Sequence, residues 1–444
     1  MHLNAKIYSK ERSMERNFYL NKLIEKEHNE MIKVITGIRR CGKSYLLNTL
    51  FYNHLLSQGV PEDHIIRFAF DSASDLEKMG ENYVDMGKEK RGADPKKFLS
   101  YMKNRIQDGN PYYLLLDEVQ LLDGFEYVLN GYLREPNLDI YVTGSNAKFL
   151  SQDIITEFAG RGDAVHMYPL SFAEFMTAYS GDRYEGLTEY MLYGGLPLVV
   201  LKQNKDEKAS MLETLFQEIY LRDIYLRHNV KNQDELEDLL NVISSSIGSL
   251  TNPEKLKKTF QSKKNSKITS ATIKKYLGYL EDSFLVESAS RYNIKGKGYI
   301  ETPKKYYFSD LGLRNARLNF RQFEENHAME NVIYNELKMR GYCVDVGVNF
   351  SSEKDKNGKQ IRKALEVDFV CNRGSKRYYI QSAYSIPDEE KRNQETRPLR
   401  KIDDSFAKMI ITKEPVLPRY DEYGILTMSI YDFLLNPDSL GKID

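Results

Sequence analysis

Residues 31–56 read, in order, MIKVIT, GIRRCGKS and YLLNTLFYNHLL, and the middle segment, residues 37–44, fits the pattern GxxxxGK[S/T]. A buried-strand pattern precedes this loop, and a helical pattern follows it. The glycines let the backbone curl so that its N–H groups face phosphate oxygens at a helix N-terminus, where the helix dipole also favours negative charge. The sequence therefore predicts a phosphate-binding loop that joins a buried strand to a helix.

The loop residues have separate predicted roles. Lys43 is expected to contact the β- and γ-phosphates of ATP and to take part in catalysis, and Ser44 is expected to offer its hydroxyl to Mg²⁺. The residues expected to contact the nucleotide here are Gly37, Ile38, Arg39, Arg40, Cys41, Gly42, Lys43, Ser44 and Tyr45.

A second motif, YYLLLDE at residues 112–118, is an apolar strand pattern that ends in two carboxylates. Alone, two adjacent acids at a strand end would indicate a solvated turn. Combined with the lysine loop they match the partner motif of P-loop ATPases, in which Asp117 holds the Mg²⁺ shell and Glu118 polarises the attacking water. The sequence thus predicts ATP and Mg²⁺ as cofactors, and ATP hydrolysis as the reaction.

A third segment, IYVTGSN at residues 140–146, is a strand pattern that ends in polar residues. Asn146 is a candidate for sensing the γ-phosphate or orienting the attacking water. The alternative is an ordinary strand-to-turn exit, because Gly, Ser and Asn are common turn residues.

The composition narrows the class of protein. Hydrophobic residues make up 41% and charged residues 29% of 444 residues, which is typical of a globular chain with two or three domains. Lys plus Arg and Asp plus Glu both number 64, so any attraction to nucleic acid must be local. Three scattered cysteines, and the lack of a signal-type or membrane-spanning apolar segment, predict a cytoplasmic protein with no membrane partner.

The order of the patterns predicts four parts. Alternating strands and helices in residues 1–170 indicate an α/β core with a parallel sheet. Helical patterns in residues 171–232 indicate a lid, and three helix-like stretches followed by hairpin candidates in residues 233–318 give a winged-helix outline. Residues 319–444 indicate a separate α/β domain with its own mixed sheet.

Seven motifs in fixed order carry a family resemblance: GIRRCGKS, LLLDEVQ, YVTGSNAKFLS, AGRG, YPLSFAEF, YGGLP and RDI. From about Asn17 to about Thr412 the chain resembles a bacterial and archaeal family of AAA-like P-loop ATPases with a C-terminal domain of uncharacterised function. The resemblance implies that Arg161 reaches a γ-phosphate, either its own or that of a neighbouring subunit in a homo-oligomer. It also implies that Pro197 lies in a lid motif near the adenine. The alternatives are an exposed loop arginine and a tight turn between helices.

The middle of the chain is locally basic. Residues 255–305 contain thirteen Lys or Arg, from Lys255 to Lys305, against four acids. On a winged-helix outline, Lys274 and Lys275 would fall in the helix that enters a major groove, and Lys295 and Lys297 in the wing. The sequence therefore suggests double-stranded DNA as a partner, with a protein contact or a solvated surface as the alternatives.

The last part resembles the restriction-endonuclease-like fold. The residues behind this resemblance are Glu330 and Glu336 on a helix, Glu366 and Asp368 entering a strand, and Gln381 and Ala383 on the next strand. Nucleases of that fold need an acidic pair for Mg²⁺ and a nearby lysine, and Gln381 and Ala383 stand in two of those places. We therefore expect this part to have no nuclease activity and to serve a binding or assembly role instead.

These features predict an ATPase that couples ATP binding and hydrolysis to conformational change in a DNA- or protein-interacting assembly. The alternative is a nucleotide-gated binding switch with little turnover.

Overall fold

A computed structural model describes residues 14–89, 92–144, 160–264, 266–354 and 360–441. The chain divides into two compact units. The first comprises Met1–Tyr168 and Asp282–Phe284, and the second comprises Pro169–Glu281 and Leu285–Asp444.

The first unit is built on a five-stranded parallel sheet in the order β2-β3-β4-β1-β5. Its strands are β1 (Ile32–Thr36), β2 (Ile65–Ala69), β3 (Tyr112–Asp117), β4 (Leu138–Thr143) and β5 (Gly162–His166). All residues of β1 and β3 are buried, as expected for parallel strands with both faces covered. The predicted α/β core with a parallel sheet is confirmed.

Six helices accompany this sheet in the described part of the first unit. They are α1 (Asn17–Ile24), α2, which runs through Lys43–Tyr45, the π-helical Leu46–Phe51 and Tyr52–Ser57, α3 (Ala73–Lys78), α4 (Tyr83–Glu89), α5 (Pro95–Arg105) and α6 (Phe125–Tyr132). One apolar core joins the sheet to helices α5 and α6, and the rings of Phe68 and Phe70 in the β2 region pack edge-on and tilted against Phe98 of α5.

The second unit begins with a helical stretch. Its helices up to the sheet are α7 (Phe172–Ala178), α8 (Arg183–Tyr193), α9 (Pro197–Val200), α10, which runs through Lys205–Thr214, the π-helical Leu215–Leu221 and Arg222–His228, and α11 (Gln233–Ser245). Ser171 closes a capping box with Glu174 at the start of α7, which explains why the helix begins there.

A nine-stranded sheet in the order β13-β14-β12-β11-β10-β9-β7-β8-β6 forms the rest of the second unit. The strands are β6 (Leu250–Thr251), β7 (Val286–Asn293), β8 (Gly298–Phe308), β9 (Cys343–Lys354), β10 (Gln360–Arg373), β11 (Lys376–Ala383), β12 (Ala407–Thr412), β13 (Arg419–Tyr420) and β14 (Ile425–Ser429). The accompanying helices are α12 (Pro253–Lys264), α13 (Ser270–Asp282), α14 (Leu311–Arg317), α15 (Glu325–Met339), α16 (Glu389–Arg400) and α17 (Ile430–Leu435).

This sheet crosses the predicted boundary between residues 318 and 319. β7 pairs antiparallel with β8 on one side and parallel with β9 on the other, through Arg291–Val346 and its neighbours. A hairpin alone would leave a strand edge unpaired and would be marginally stable, and joining the larger sheet removes that edge. The predicted C-terminal domain with a sheet of its own is therefore replaced by one sheet shared with the hairpin.

The predicted lid lies inside the second unit, and so does the predicted middle segment except for Asp282–Phe284, which belong to the first unit. The three predicted helices of residues 233–318 are present as α11, α12 and α13, and the predicted hairpin is present as β7 and β8. The boundaries at residues 171, 233 and 319, and the winged-helix assignment, stay predictions.

Lys305 of β8 lies at the centre of a buried ion cluster. Its Nζ is 2.8 Å from Glu330 Oε1, 2.9 Å from Glu366 Oε1 and 3.6 Å from Asp368 Oδ1. The lysine is only 3% exposed, so it does not belong to the basic surface predicted for residues 255–305. In the sequence, Ala383 stands where nucleases of the restriction-endonuclease-like fold have a lysine. Lys305 nevertheless supplies a cation beside the acids, from a different strand.

The ionisation of the cluster depends on this lysine. The pKa of Asp368 is raised to about 7, mainly by burial and also by the charge of Glu330, while Lys305 opposes both effects. Burial alone would lower the pKa of Lys305, but the surrounding carboxylates hold it above its ordinary value. The lysine therefore stays charged and offsets part of the negative charge of the cluster.

Replacement of Lys305 by Met should destabilise the second unit by about 3–5 kcal/mol at neutral pH, because it leaves buried carboxylates without a partner. The loss should shrink as the pH falls through the raised pKa of Asp368, since protonation removes the uncompensated charge. Urea unfolding at several pH values measures both effects.

Lys304→Met is the matched control, because its Nζ is 3.5 Å from the Ser288 hydroxyl and lies outside the cluster. We expect a loss below about 1 kcal/mol for this variant. Equal losses for the two variants would contradict the role assigned to Lys305.

Candidate nucleotide site

The loop after β1 turns sharply through residues with positive φ angles, two of which are glycines. Gly37 and Gly42 have φ of 143° and 105°, and Arg40 adopts a left-handed φ of 65°. A Cβ added to Gly37 would lie 2.1 Å from the carbonyl oxygen of Met167, which is too close for any side chain. The glycines thus allow the predicted curl and a close approach to the chain that follows β5.

Lys43 is the first residue of α2 and turns back into the loop. Its Nζ donates to the carbonyl oxygens of Gly37 at 2.9 Å and Ile38 at 3.1 Å, and the residue is buried. Ser44 follows it and is exposed. The loop, the lysine ammonium and the serine hydroxyl therefore meet at the N-terminus of one helix, as the motif predicts.

Asp117 lies at the carboxyl end of β3 and is brought to the loop. The Thr143 hydroxyl donates to Asp117 Oδ1, and Asn48 Nδ2 donates to Oδ2 at 3.3 Å. The Ser44 side chain also interacts with this carboxylate and lowers its pKa. The two residues predicted to hold Mg²⁺, Ser44 and Asp117, are thus brought near each other.

Burial dominates the electrostatics of Asp117. It raises the pKa of this carboxyl, and the hydrogen bonds from Thr143 and Ser44 lower it in part. The negative charges of Glu118 and Asp71 raise the pKa as well. A carboxylate in this position gains from a cation placed against it.

Asp71 is a third acid at this edge that the sequence motifs did not identify. It follows β2, which pairs with β3 so that Ala69 lies opposite Asp117. Partial desolvation and then the negative charge of Glu118 raise the pKa of Asp71. Its position at the end of the strand next to β3 was the available signal, because parallel strands end at one edge.

Glu118 is held in a left-handed conformation with φ of 50°. Its backbone N–H donates to Thr143 Oγ1 at 3.0 Å, and Gln120 Nε2 donates to its Oε2. The Thr143 hydroxyl therefore contacts both acids of the motif, and Gln120 orients the carboxylate of Glu118. Neither Thr143 nor Gln120 was assigned a role from the sequence.

Arg16 is another residue that sequence reasoning missed. It is 2% exposed, and its guanidinium donates to the carbonyl oxygens of Cys41 at 3.2 Å and Tyr168 at 2.7 Å. It ties the phosphate loop to the segment after β5. A lone arginine 25 residues before the loop cysteine carries no motif, so no pattern could have found it.

Arg161 lies away from the loop of its own chain. It directly precedes β5, and its carbonyl oxygen accepts from the N–H of Ile32, the first residue of β1, at 2.8 Å. The loop leaves the other end of β1, five residues on, which is roughly 16 Å away at the rise of a strand. Arg161 is exposed there, so contact with its own γ-phosphate does not fit this position.

The roles of two further candidates stay predictions. Asn146 lies outside the described residues. Pro197 is the first residue of α9 in the second unit, and its role near the adenine stays a prediction.

The motif that contains Pro197 has structural contacts of its own. The Gly195 N–H donates to Asp310 Oδ2 at 2.8 Å, and the Gly195 carbonyl oxygen accepts from the N–H of Leu170 at 2.8 Å. Burial raises the pKa of Asp310 to about 6, and backbone N–H groups stabilise its charged form. These contacts favour the reading of the motif as a tight turn between helices.

Two family models match the chain. An AAA domain matches residues 29–176, and a domain of unknown function, DUF8612, matches residues 184–324. The second match spans the predicted boundary between lid and middle segment. Neither covers residues 325–444, so the restriction-endonuclease-like resemblance predicted for the last part gains no support from them. Among the described residues, no helix is long and apolar enough to cross a membrane.

Individual proteins are also similar. The Walker-type ATPase of Pyrococcus abyssi shares 16% identity with a TM-score of 0.47, over 69% of this chain and 96% of its own. An uncharacterized protein of Methanocaldococcus jannaschii is 26% identical, covering 81% of this chain and 76% of its own. An uncharacterized protein of Haemophilus influenzae is 32% identical over 95% of this chain and 98% of its own. The chain belongs to the same family as this last protein, and its residues 29–176 form an AAA domain of the P-loop ATPase type.

Proposed function

We propose that this protein binds ATP with Mg²⁺ and hydrolyses it at the carboxyl edge of the first sheet. The observation that carries the proposal is that the loop with Lys43 and Ser44 lies at the same sheet edge as Asp117 and Glu118, which share the Thr143 hydroxyl. Phosphoryl transfer uses these residue types to contact phosphate, to hold Mg²⁺ and to activate water, which supports the proposal.

Oxygen donors of this kind suit Mg²⁺. The Ser44 hydroxyl and the Asp117 carboxylate would hold the ion, and bound Mg²⁺ would neutralise charge on the phosphates. In the described part of the chain no group of three or more His, Cys, Asp or Glu side chains forms a metal site. That agrees with a magnesium site completed by substrate phosphates and water.

The loop supports phosphate binding through its N–H groups and its lysine. Lys43 now donates to two carbonyl oxygens, those of Gly37 and Ile38, and an ammonium has three N–H groups. Bound ATP would gain this cation at the β- and γ-phosphates.

Glu118 is the proposed base that orients and polarises water. Its carboxylate is positioned by Gln120 and its backbone by Thr143, so its place is fixed relative to Asp117. The alternative is a switch that binds ATP with little turnover. The fixed Glu118 favours hydrolysis over that alternative.

The proposal extends to assembly. Since Arg161 is exposed at the amino edge of the sheet, about a strand length from its own loop, it fits a role on the nucleotide of a neighbouring subunit. We further propose that hydrolysis drives conformational change in a homo-oligomer that handles DNA or protein.

Duplex DNA is a second candidate partner, favoured by the surface of α13. Lys274 and Lys275 are exposed on this helix, and Lys295 and Lys297 are exposed at the turn between β7 and β8. A helix and a hairpin turn that both carry cations suit a winged-helix module on phosphates.

Glu118→Gln should lower ATP turnover about 100-fold or more and leave ATP affinity within about twofold, because the amide cannot act as a base. Phosphate release and binding of a fluorescent ATP analogue measure the two quantities. Glu135→Gln, at an exposed position beyond α6, is the matched control and should keep full turnover. A wild-type rate no higher than that of Glu118→Gln would favour the switch.

Arg161→Ala should lower turnover without changing ATP affinity, and mixing it with Glu118→Gln should restore part of the activity. In the mixture, Glu118→Gln subunits supply Arg161 to sites that retain Glu118. Light scattering with a non-hydrolysable ATP analogue should show growth in mass.

The control for this experiment is Arg134→Ala, which removes another exposed arginine of the first unit and should be silent. No recovery in the mixture, together with an unchanged monomer mass, would rule out the role between subunits.

Replacing both Lys274 and Lys275 by Gln should weaken duplex DNA binding and reduce the slope of log K against log salt by roughly 2. Fluorescence anisotropy across a salt series provides the measurement. The variant Lys96→Gln/Lys103→Gln changes charge equally on α5 and should bind duplex like the wild type. An identical salt slope for all three proteins would exclude α13 as a DNA surface.

A further inference from the structure

A surface pocket of about 570 Å³ lies in the second unit, and none of its lining residues belongs to the Lys305 cluster or to α13. It lies where three parallel strands begin, since Tyr378 of β11 pairs with Ala407 of β12, and Lys408 pairs with Ile425 of β14. No motif of the sequence and no matched family model covers this region.

The pocket lining carries an excess of positive charge. It includes the cations Lys376, Arg377 and Lys408, and Asp404 is the one acid among its lining residues. Arg377 Nε donates to the amide oxygen of Asn372 at 2.7 Å, and Lys408 Nζ donates to the backbone oxygen of Asp404 at 2.8 Å. These partners are neutral, so the positive charges of Arg377 and Lys408 remain available to an anion.

Three aromatic rings at the pocket are open to solvent. Tyr420, Tyr423 and Phe406 are 58%, 53% and 39% exposed. The Arg377 guanidinium lies 5.2 Å from the Phe406 ring centre, and the Arg400 guanidinium lies 3.9 Å from that of Tyr423. Exposed rings interleaved with cations form a surface on which flat groups can stack beside negative charge.

Two nearby acids, Asp421 and Asp404, are engaged in local structure. Asp421 Oδ1 accepts from the N–H groups of Tyr423 and Ile425, each at 2.9 Å, which fixes the turn between β13 and β14. Asp404 accepts from the Tyr379 hydroxyl and from the N–H of Phe406. The same bonds hold the backbone of the exposed rings, so little ordering is left for a ligand to impose.

We propose that this pocket, called here the Tyr420–Tyr423 pocket, binds an unpaired strand of nucleic acid. Bases stack on Tyr420 and Tyr423, and phosphates face Lys376, Arg377 and Lys408. In a duplex the base faces are stacked on one another, so a duplex presents only phosphates. It could contact the cations of the pocket but not its aromatic rings. The inference is independent of the ATP site and of duplex binding by α13.

Fluorescence anisotropy of the full-length protein with a labelled oligothymidine of about 15 nucleotides tests the proposal. Tyr420→Ala and Tyr423→Ala should each weaken binding about tenfold, and Tyr423→Phe should retain affinity because the ring persists. Lys376→Gln/Lys408→Gln should weaken binding most at low salt. The matched control is Tyr127→Ala, which removes a ring that is 85% exposed in the first unit and should have no effect.

Two other probes test which kind of strand binds and whether its bases are needed. An oligouridine arm separates RNA from DNA, and either result supports the pocket. An abasic oligonucleotide of equal length should bind at least tenfold more weakly, since it keeps phosphates and lacks bases. Equal binding of the abasic strand, equal competition by duplex, or unchanged affinity in both alanine variants would overturn the proposal.

The outcome is distinguishable from failure of the ATP site. ATP turnover of the tyrosine variants should match the wild type, and Lys274→Gln/Lys275→Gln should bind the oligothymidine normally. Loss of turnover in the tyrosine variants would indicate misfolding. In that case the Tyr423→Phe variant, which keeps the ring and the fold, is used instead. Its affinity for the oligothymidine should exceed its affinity for the abasic strand at least about tenfold, and equal affinities would overturn the proposal.

Discussion

The hydroxyl of Thr143 is the contact on which the candidate nucleotide site depends. It donates to the carboxylate of Asp117 and accepts from the N–H of Glu118, so one side chain fixes two acids with different tasks. This is possible because β4 lies between β1 and β3, and parallel strands end at one edge. The sheet order therefore brings together a loop, a metal ligand and a base that are separated in sequence.

The fold and the site differ in how far the sequence could predict them. Gly37, Lys43, Ser44, Asp117 and Glu118 were identified because each belongs to a local motif whose chemistry depends on adjacent residues. Contacts across the sheet leave no such pattern. Arg16 reaches Tyr168 over 152 positions, and Asp71 reaches the site only through the pairing of β2 with β3, so neither was predicted.

The same reason explains the corrections in the second unit. The hairpin of β7 and β8 was predicted from its alternating pattern, but the pairing of β7 with β9 depends on residues 55 positions apart, as for Arg291 and Val346. Lys305 was assigned to the basic surface because its contacts with Glu330, Glu366 and Asp368 come from distant parts of the sequence and leave no local pattern. The Lys305 ammonium offsets part of the repulsion among these carboxylates inside the protein.

Arg16 links the phosphate loop to the point where the chain leaves the first unit. Its guanidinium bridges the carbonyl oxygen of Cys41 in the phosphate loop and that of Tyr168, the last residue of the first unit before the chain continues at Pro169. Gly37 approaches Met167 in the same place, with no room for even a methyl group. The phosphate loop is therefore held against the residues directly before Pro169, so a shift of the loop backbone on phosphate binding would act on the peptide that leads into the second unit.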